Sequence, residues 1–445
     1  MQACASLLQE MQGALQSQGY TVQTCRIATN PFGEWIHPHD PTTVASIVAS
    51  TIASTASGAI TSSSSTAHQL QNLERLNQLL AQHSIEFCSV GPAQTADELD
   101  LCVDIVSLSH RFSCSVNIPD SNHTSNAQES SVVAPSAQHA ADTILKISQR
   151  DHPTHMQGGL GNFRFCTASQ CPPGIPFFPA AKAQSIVQAK AKTKGNATAT
   201  ADDNTSTTFP LQFAIGLENG PVLHQLLKDC GTIANLVVSS SSSASSSFTQ
   251  FQTHYTQLLE PIQTIAQSIA LQHNATYLGI DTSWNPSLDP HTGSIAAAVE
   301  QLQEIPVFGG PGTVAAASAM TRAIQSLPSH IQRTGYCGLM LPVCEDTRLA
   351  ELATTTTGTS SDKRTLRISD LLSISSVCGV GVDTVPVPGD VSRDVLASLI
   401  LDVAGIAGRW NKSLSCRVFP VPGKKAGEFT TFDSPYMINT SIFDL

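Results

Sequence analysis

The chain has 445 residues, 41% of them hydrophobic, enough to bury a large core, and length alone permits two or three domains. A formal charge of −11, with 23 Lys and Arg spread along the chain and no basic cluster, argues against a nucleic-acid partner. No apolar run reaches the ~20 residues a spanning helix needs, which argues against a membrane protein.

Segments of helical period alternate with short β-rich runs, the pattern of an α/β fold with a largely parallel sheet or barrel. Leu7, Leu8, Met11 and Leu15 share one face of a first helix that stops at Gly19. "YTVQTCRIAT" follows as a strand. Leu70, Leu73, Leu76 and Leu80 line a second helix, after which "IEFCSV" reads as a strand. Further strands are expected at "FSCSVNI", "FRFCTAS", "LQFAIGLE", "IANLVVS", "TYLGIDTS", "YCGLMLPV" and "LSCRVFPV". Their even spacing predicts one domain over 1–445. Ser/Thr/Ala-rich stretches at 54–65, 190–208, 239–247 and 354–361 read as mobile surface insertions, too polar to repay ordering.

The twelve cysteines are dilute and several sit in apolar runs, so they read as thiols in a reducing compartment. No Lys or Arg precedes Arg26, so the start lacks the charge of a signal or transit peptide, and a cytoplasmic location is expected.

The densest chemical segment is "SSVCGVGVDTVPVPGD" at 375–390, which reads as an irregular loop entering a site. There Cys378 is a candidate nucleophile or redox thiol, and Asp383 a candidate base or metal ligand. A buried Cys beside a tight turn is the alternative, and Asp390 fits a helix N-cap. In "VFGGPGTVAAASAMTRAI" a glycine-rich turn enters a helix, so Gly312 and Thr313 could cradle a carboxylate or phosphate; close packing through small residues is the alternative. Asp281 and Ser283 stand at a strand end, where ligands gather in parallel α/β folds. Glu345 and Asp346 could hold a divalent cation or act as a base, or begin a helix. Arg26 and Lys424 could hold an acidic substrate, or be solvated charge. Cys171, with no cation near it in sequence, reads as inert. "HPHD" at 37–40 reads as an exposed turn.

Taken in order, "CPPGIPFFPAA", "GIDTSWNPSLD", "GYCGLMLPVCED", "SVCGVGVDTVPVPGD" and "PVPGKKAG" make the chain resemble family 711 of domains of unknown function. The resemblance runs from about Tyr20 to the C-terminus. It implies an α/β barrel of about ten strands, similar to pyruvate formate-lyase and anaerobic ribonucleotide reductase, with any site inside. Members commonly open on a strand before the first helix seen here, so the chain is expected either to lack that strand or to be an incomplete gene model. "CRVFPVPGKK" lacks the glycine of a radical-storing segment, so no glycyl radical is expected. The family offers no agreed reaction to carry over.

Two functions are then open. One is a non-radical enzyme on a small, polar or acidic metabolite, with a divalent cation as a possible cofactor. The other is a catalytically silent barrel that binds a metabolite or forms a homo-oligomer. The enzyme reading requires Cys378, Asp383, Asp281 and a cation to converge on one pocket.

Overall fold

The computed structural model describes residues 1–36, 62–119, 136–186, 211–236, 247–287, 289, 291–354, 365–377 and 379–445, without the side chains of 62–68 and 247. The "HPHD" turn, Cys378 and most of the Ser/Thr/Ala-rich stretches (54–61, 190–208, 239–246 and 355–361) lie outside the described residues. Residues 62–65 instead open the helix Ser62–Gln82, and Ser247 opens the helix Ser247–Gln272.

Helices form where apolar residues repeat at helical spacing. The first, Gln2–Ser17, buries Leu7, Met11 and Leu15 and ends where Gly19 takes φ +85°, the left-handed conformation that glycine adopts without cost. Strands β1 (Arg26–Ala28), β2 (Phe87–Ala93), β3 (Phe112–Asn117) and β4 (Phe165–Ser169) run parallel in sequence order. Nearly every residue of β2, β3 and β4 is buried, as expected of parallel strands covered by helices on both faces.

Strands β5 (Gln212–Gly216) and β6 (Thr276–Asp281) form a separate parallel pair. The last two strands, β7 (Gly381–Pro388) and β8 (Leu414–Val421), pair with each other in parallel. Strand β8 joins β4 antiparallel, giving a mixed six-stranded sheet in the order β1-β2-β3-β4-β8-β7. "YCGLMLPV" makes isolated bridges rather than a strand: Trp284 to Leu339, Leu339 to Gly379, and Pro342 to Asp383. These bridges carry β6 across to β7.

The fold is therefore α/β, with a six-stranded and a two-stranded sheet, and no closed barrel of ten strands is found among the described residues. Two further expectations change. The irregular loop expected at 375–390 contains β7, because Val382, Val385 and Val387 are buried in the sheet. Its prolines are tolerated because β7 is an edge strand of that sheet, where a missing N–H breaks no ladder. The N-cap of the following helix, Arg393–Trp410, is Ser392, whose hydroxyl accepts the Val395 N–H at 3.2 Å, and not Asp390. "IANLVVS" begins as the short helix Ile233–Leu236 instead of a strand.

One contiguous apolar cluster runs from Ala5 to Phe443. Trp284 is fully buried in it, its ring tilted by 31° against that of Tyr255 at 4.2 Å and edge-on to Phe251 at 5.7 Å. Among the described residues, no helix is long and apolar enough to cross a membrane.

Gly381 has φ +112°, and a β-carbon there would collide with the Ser415 carbonyl of β8. Gly381→Ala is expected to cost about 2 kcal/mol or more in denaturant unfolding. Gly405→Ala, on an open helix face with nothing within 4 Å, is expected to stabilise by up to about 1 kcal/mol.

Candidate functional site

The site is built around an arginine in an apolar strand. Arg417 on β8 is 7% exposed. Its Nε donates to Asp383 Oδ1 at 2.6 Å and its Nη2 to Asp383 Oδ2 at 3.1 Å, a bidentate pair. The same Nη2 donates to Glu345 Oε1 at 2.8 Å, and Nη1 to the Phe163 carbonyl at 3.3 Å.

Backbone irregularity makes this arrangement possible. The β7–β8 register runs Val382 to Cys416 and then Val385 to Val418, so two residues of β7, Asp383 and Thr384, stand opposite Arg417 alone. Thr384 takes φ +46° at this bulge. A bulge re-aims a side chain that regular alternation would place elsewhere, and here it accompanies the pairing of Asp383 with Arg417. Glu345 comes from the 3₁₀ turn Val343–Glu345, which begins where Pro342 bridges to Asp383.

Asp383, Glu345 and Arg417 line a cavity of about 1060 Å³ together with Arg26, Glu218 and Tyr436. Two outer strands, β1 of the six-stranded sheet and β5 of the pair, also line it. Burial pushes the Glu345 carboxyl up to about 7, against the pull of Arg417, with the Asp383 charge adding to the rise. Burial likewise raises Glu218 and lowers Arg26. Arg26 donates from Nε to Thr24 Oγ1 at 2.8 Å, and its guanidinium lies over the rings of Phe87 and Phe178 at 5.1 and 5.4 Å.

Three residues singled out from sequence thus meet in one place: Arg26, Asp383 and Glu345. Asp281 does not join them. It is fully buried and accepts Ser283 N and Oγ, Tyr336 N and Cys337 N at 2.6–3.1 Å, while Ser283 Oγ accepts Gly338 N at 3.0 Å. This pair stitches the end of β6 to the bridging segment. Asp346 is equally enclosed, accepting Ser294 Oγ, Ile295 N, Ala296 N and Leu349 N, and so caps the helices Ile295–Val299 and Thr347–Ala353. Although adjacent in sequence, Glu345 and Asp346 serve different partners. Among the described residues no group of three His, Cys, Asp or Glu is placed to hold a metal. Gly312, at φ +93°, packs near Ile233 and Ile305, and Thr313 is buried behind it. Lys424 donates to the Phe429 carbonyl at an exposed turn.

Cys171 is buried, and burial pushes its thiol up to about 11. Cys166 and Cys416, on the strands beside it, are raised for the same reason. The residue that sequence reasoning missed is Arg417; a lone cation within the apolar run "LSCRVFPV" was the available signal.

The profile of the family described as "Uncharacterised ACR (DUF711)" matches residues 1–434. Curated relatives are each called "UPF0210 protein". That of Pyrobaculum arsenaticum is 31% identical over 167 residues, 37% of this chain and 35% of the relative. Oleidesulfovibrio alaskensis has one 31% identical over 172 residues, covering 38% and 35%. The Limosilactobacillus reuteri protein is 33% identical over 152 residues, covering 33% and 32%. The alignments therefore span about a third of the length of these relatives.

Asp346→Ala strands four donors in the interior. It is expected to lower unfolding free energy by about 3 kcal/mol, read from the shift of a urea midpoint. In the native protein Cys171 is expected to resist iodoacetamide at pH 8 and to react once unfolded, as mapped by mass spectrometry.

Proposed function

The chain belongs to the DUF711 family of uncharacterised proteins, and from that premise we propose that it is a non-radical enzyme moving a proton on a small acidic metabolite held in the cavity. The observation that carries this reading is Glu345: a carboxyl facing a cavity, held by Arg417 at 2.8 Å, and raised by burial to about 7. A carboxyl with that affinity gives up and takes back a proton at neutral pH, as a general acid or base requires.

The roles then divide by geometry. Glu345 is the acid and base. Both oxygens of Asp383 are engaged by Arg417, so Asp383 acts as a positioning residue that fixes the guanidinium. Arg417 in turn fixes the Glu345 carboxyl and stabilises its charged form. Arg26, bonded only through Nε among the described residues, has guanidinium N–H groups left for a substrate carboxylate. No step needs a stored radical or a metal. A scaffold related to pyruvate formate-lyase is part of the same proposal. What supports it is the row of bridges from β6 to β7, which lets residues of both sheets line one cavity.

The alternative, a silent metabolite-binding fold, draws on the fact that Arg417 already satisfies both carboxylates. Infrared titration separates the two without a substrate. A protonated-carboxyl band that persists to about pH 7 in the wild type and is missing in Glu345→Gln supports the acid–base reading. A Glu345 ionised from pH 5 upward sinks it.

The sign of the stability effect follows. The folded-state value lies above the ordinary 4.5, so the contribution of Glu345 is fully present below pH 4.5 and is lost as pH rises to about 7. Relative to Glu345→Gln, the wild type is expected to lose stability across that window in thermal melts. On any substrate found, Glu345→Gln is expected to lower kcat by about 10²- to 10⁴-fold and to abolish an inflection near pH 7.

A further inference from the structure

The same cavity carries a second group of charges that the acid–base reading does not use. His110, Arg111 and Ser113, at the start of β3, and Arg164, just before β4, all line it. Arg111 Nε and Ser113 Oγ are buried, and neither finds a hydrogen-bond partner among the described residues. Ser113 is 5% exposed. Among the described residues Arg164 bonds backbone alone, from Nε to the His110 carbonyl at 2.8 Å and from Nη1 to the His155 carbonyl at 3.5 Å.

Neither arginine has a carboxylate within ion-pair reach among the described residues. Glu86 acts on His110 only through its field, and the two arginines together hold that imidazole below its ordinary value, after burial. Burial also lowers Arg164, to about 10. Two positive charges with unmatched donors in a partly buried wall are costly, unless an anion completes them.

We propose that Arg111, Ser113 and Arg164 form an oxyanion subsite that takes the phosphate group of the ligand. Charge selects phosphate over carboxylate. A phosphate monoester carries about −1.5 to −2 at pH 7 and three acceptor oxygens, matching two guanidinium groups and a hydroxyl; a carboxylate neutralises one charge only. The subsite and Glu345 line the same cavity. The guanidinium carbons of Arg164 and Arg417 are 5.7 and 5.2 Å from the centre of one ring, that of Phe163. Both guanidinium groups thus border Phe163, and the proposed ligand, one phosphorylated acid, lies across them. Calling the ligand a substrate rests on the proposed acid–base function, whereas the subsite itself does not.

The test is calorimetric titration of the full chain with inorganic phosphate, and with acetate as the carboxylate arm. It is read without turnover, so a failure of Glu345 as acid or base leaves it intact, and the converse holds. Phosphate is expected to bind the wild type more tightly than acetate, and about tenfold or more weaker to Arg111→Met and to Arg164→Met. Ser113→Ala, which removes a hydroxyl with no partner among the described residues and so spares the fold, is expected to weaken it by about threefold. Lys146→Met, which removes an exposed cation paired with Asp100, is expected to change nothing. Failure of phosphate to bind the wild type, acetate binding of equal affinity that is likewise lost in Arg111→Met and Arg164→Met, or wild-type phosphate affinity in Ser113→Ala and both arginine variants would overturn the subsite.

Discussion

A guanidinium withdrawn from water sets the terms for this site. Taking Arg417 into the interior costs several kcal/mol, offset only if its charge and donors are matched there. Asp383 and Glu345 supply that match, and each is placed by a local departure from regular structure: a bulge for one and a 3₁₀ turn for the other. The departures and the ion cluster therefore stand or fall together. Regular pairing along β7 would leave Arg417 without its bidentate partner.

The same constraint explains why neighbouring carboxyl groups end up in different roles. Asp281 and Asp346 are enclosed and receive four donors each, so they join segments: the end of β6 to the bridging chain, and one helix start to another. Glu345 has one close donor and an open side toward the cavity. Burial raises all three, but in the two aspartates the hydrogen bonds oppose it from every side. What separates Glu345 from the two aspartates is both the smaller number of donors around it and its exposure to the cavity.

The thiols show the converse. Cys166 sits near the Arg417 guanidinium and Cys171 near the Lys182 ammonium, which would favour thiolate, yet burial outweighs those cations and drives both upward, while Cys416 is raised by burial and by the Asp383 charge. Apolar surroundings make them small hydrophobes. The convergence expected of Cys378, Asp383, Asp281 and a cation is accordingly replaced by Asp383, Glu345 and two arginines, with Cys378 outside the described residues.

Local patterns carried the α/β class, the first helix with its Gly19 stop, and strands β2, β3, β4 and β6, because hydrophobic period and turn chemistry are properties of short segments. They also singled out Arg26, Asp383 and Glu345 as candidate site residues, and the motifs carried the family. They misread β7 as a loop, since Gly and Pro signal irregularity unless an edge strand removes the penalty. Only the tertiary structure decided that Arg417, 34 residues beyond Asp383 and 72 beyond Glu345, would be their common partner. The same holds for Arg111, Ser113 and Arg164, brought to the cavity by parallel pairing of β3 and β4. Electrostatic matching acts through space, and sequence distance carries no trace of it.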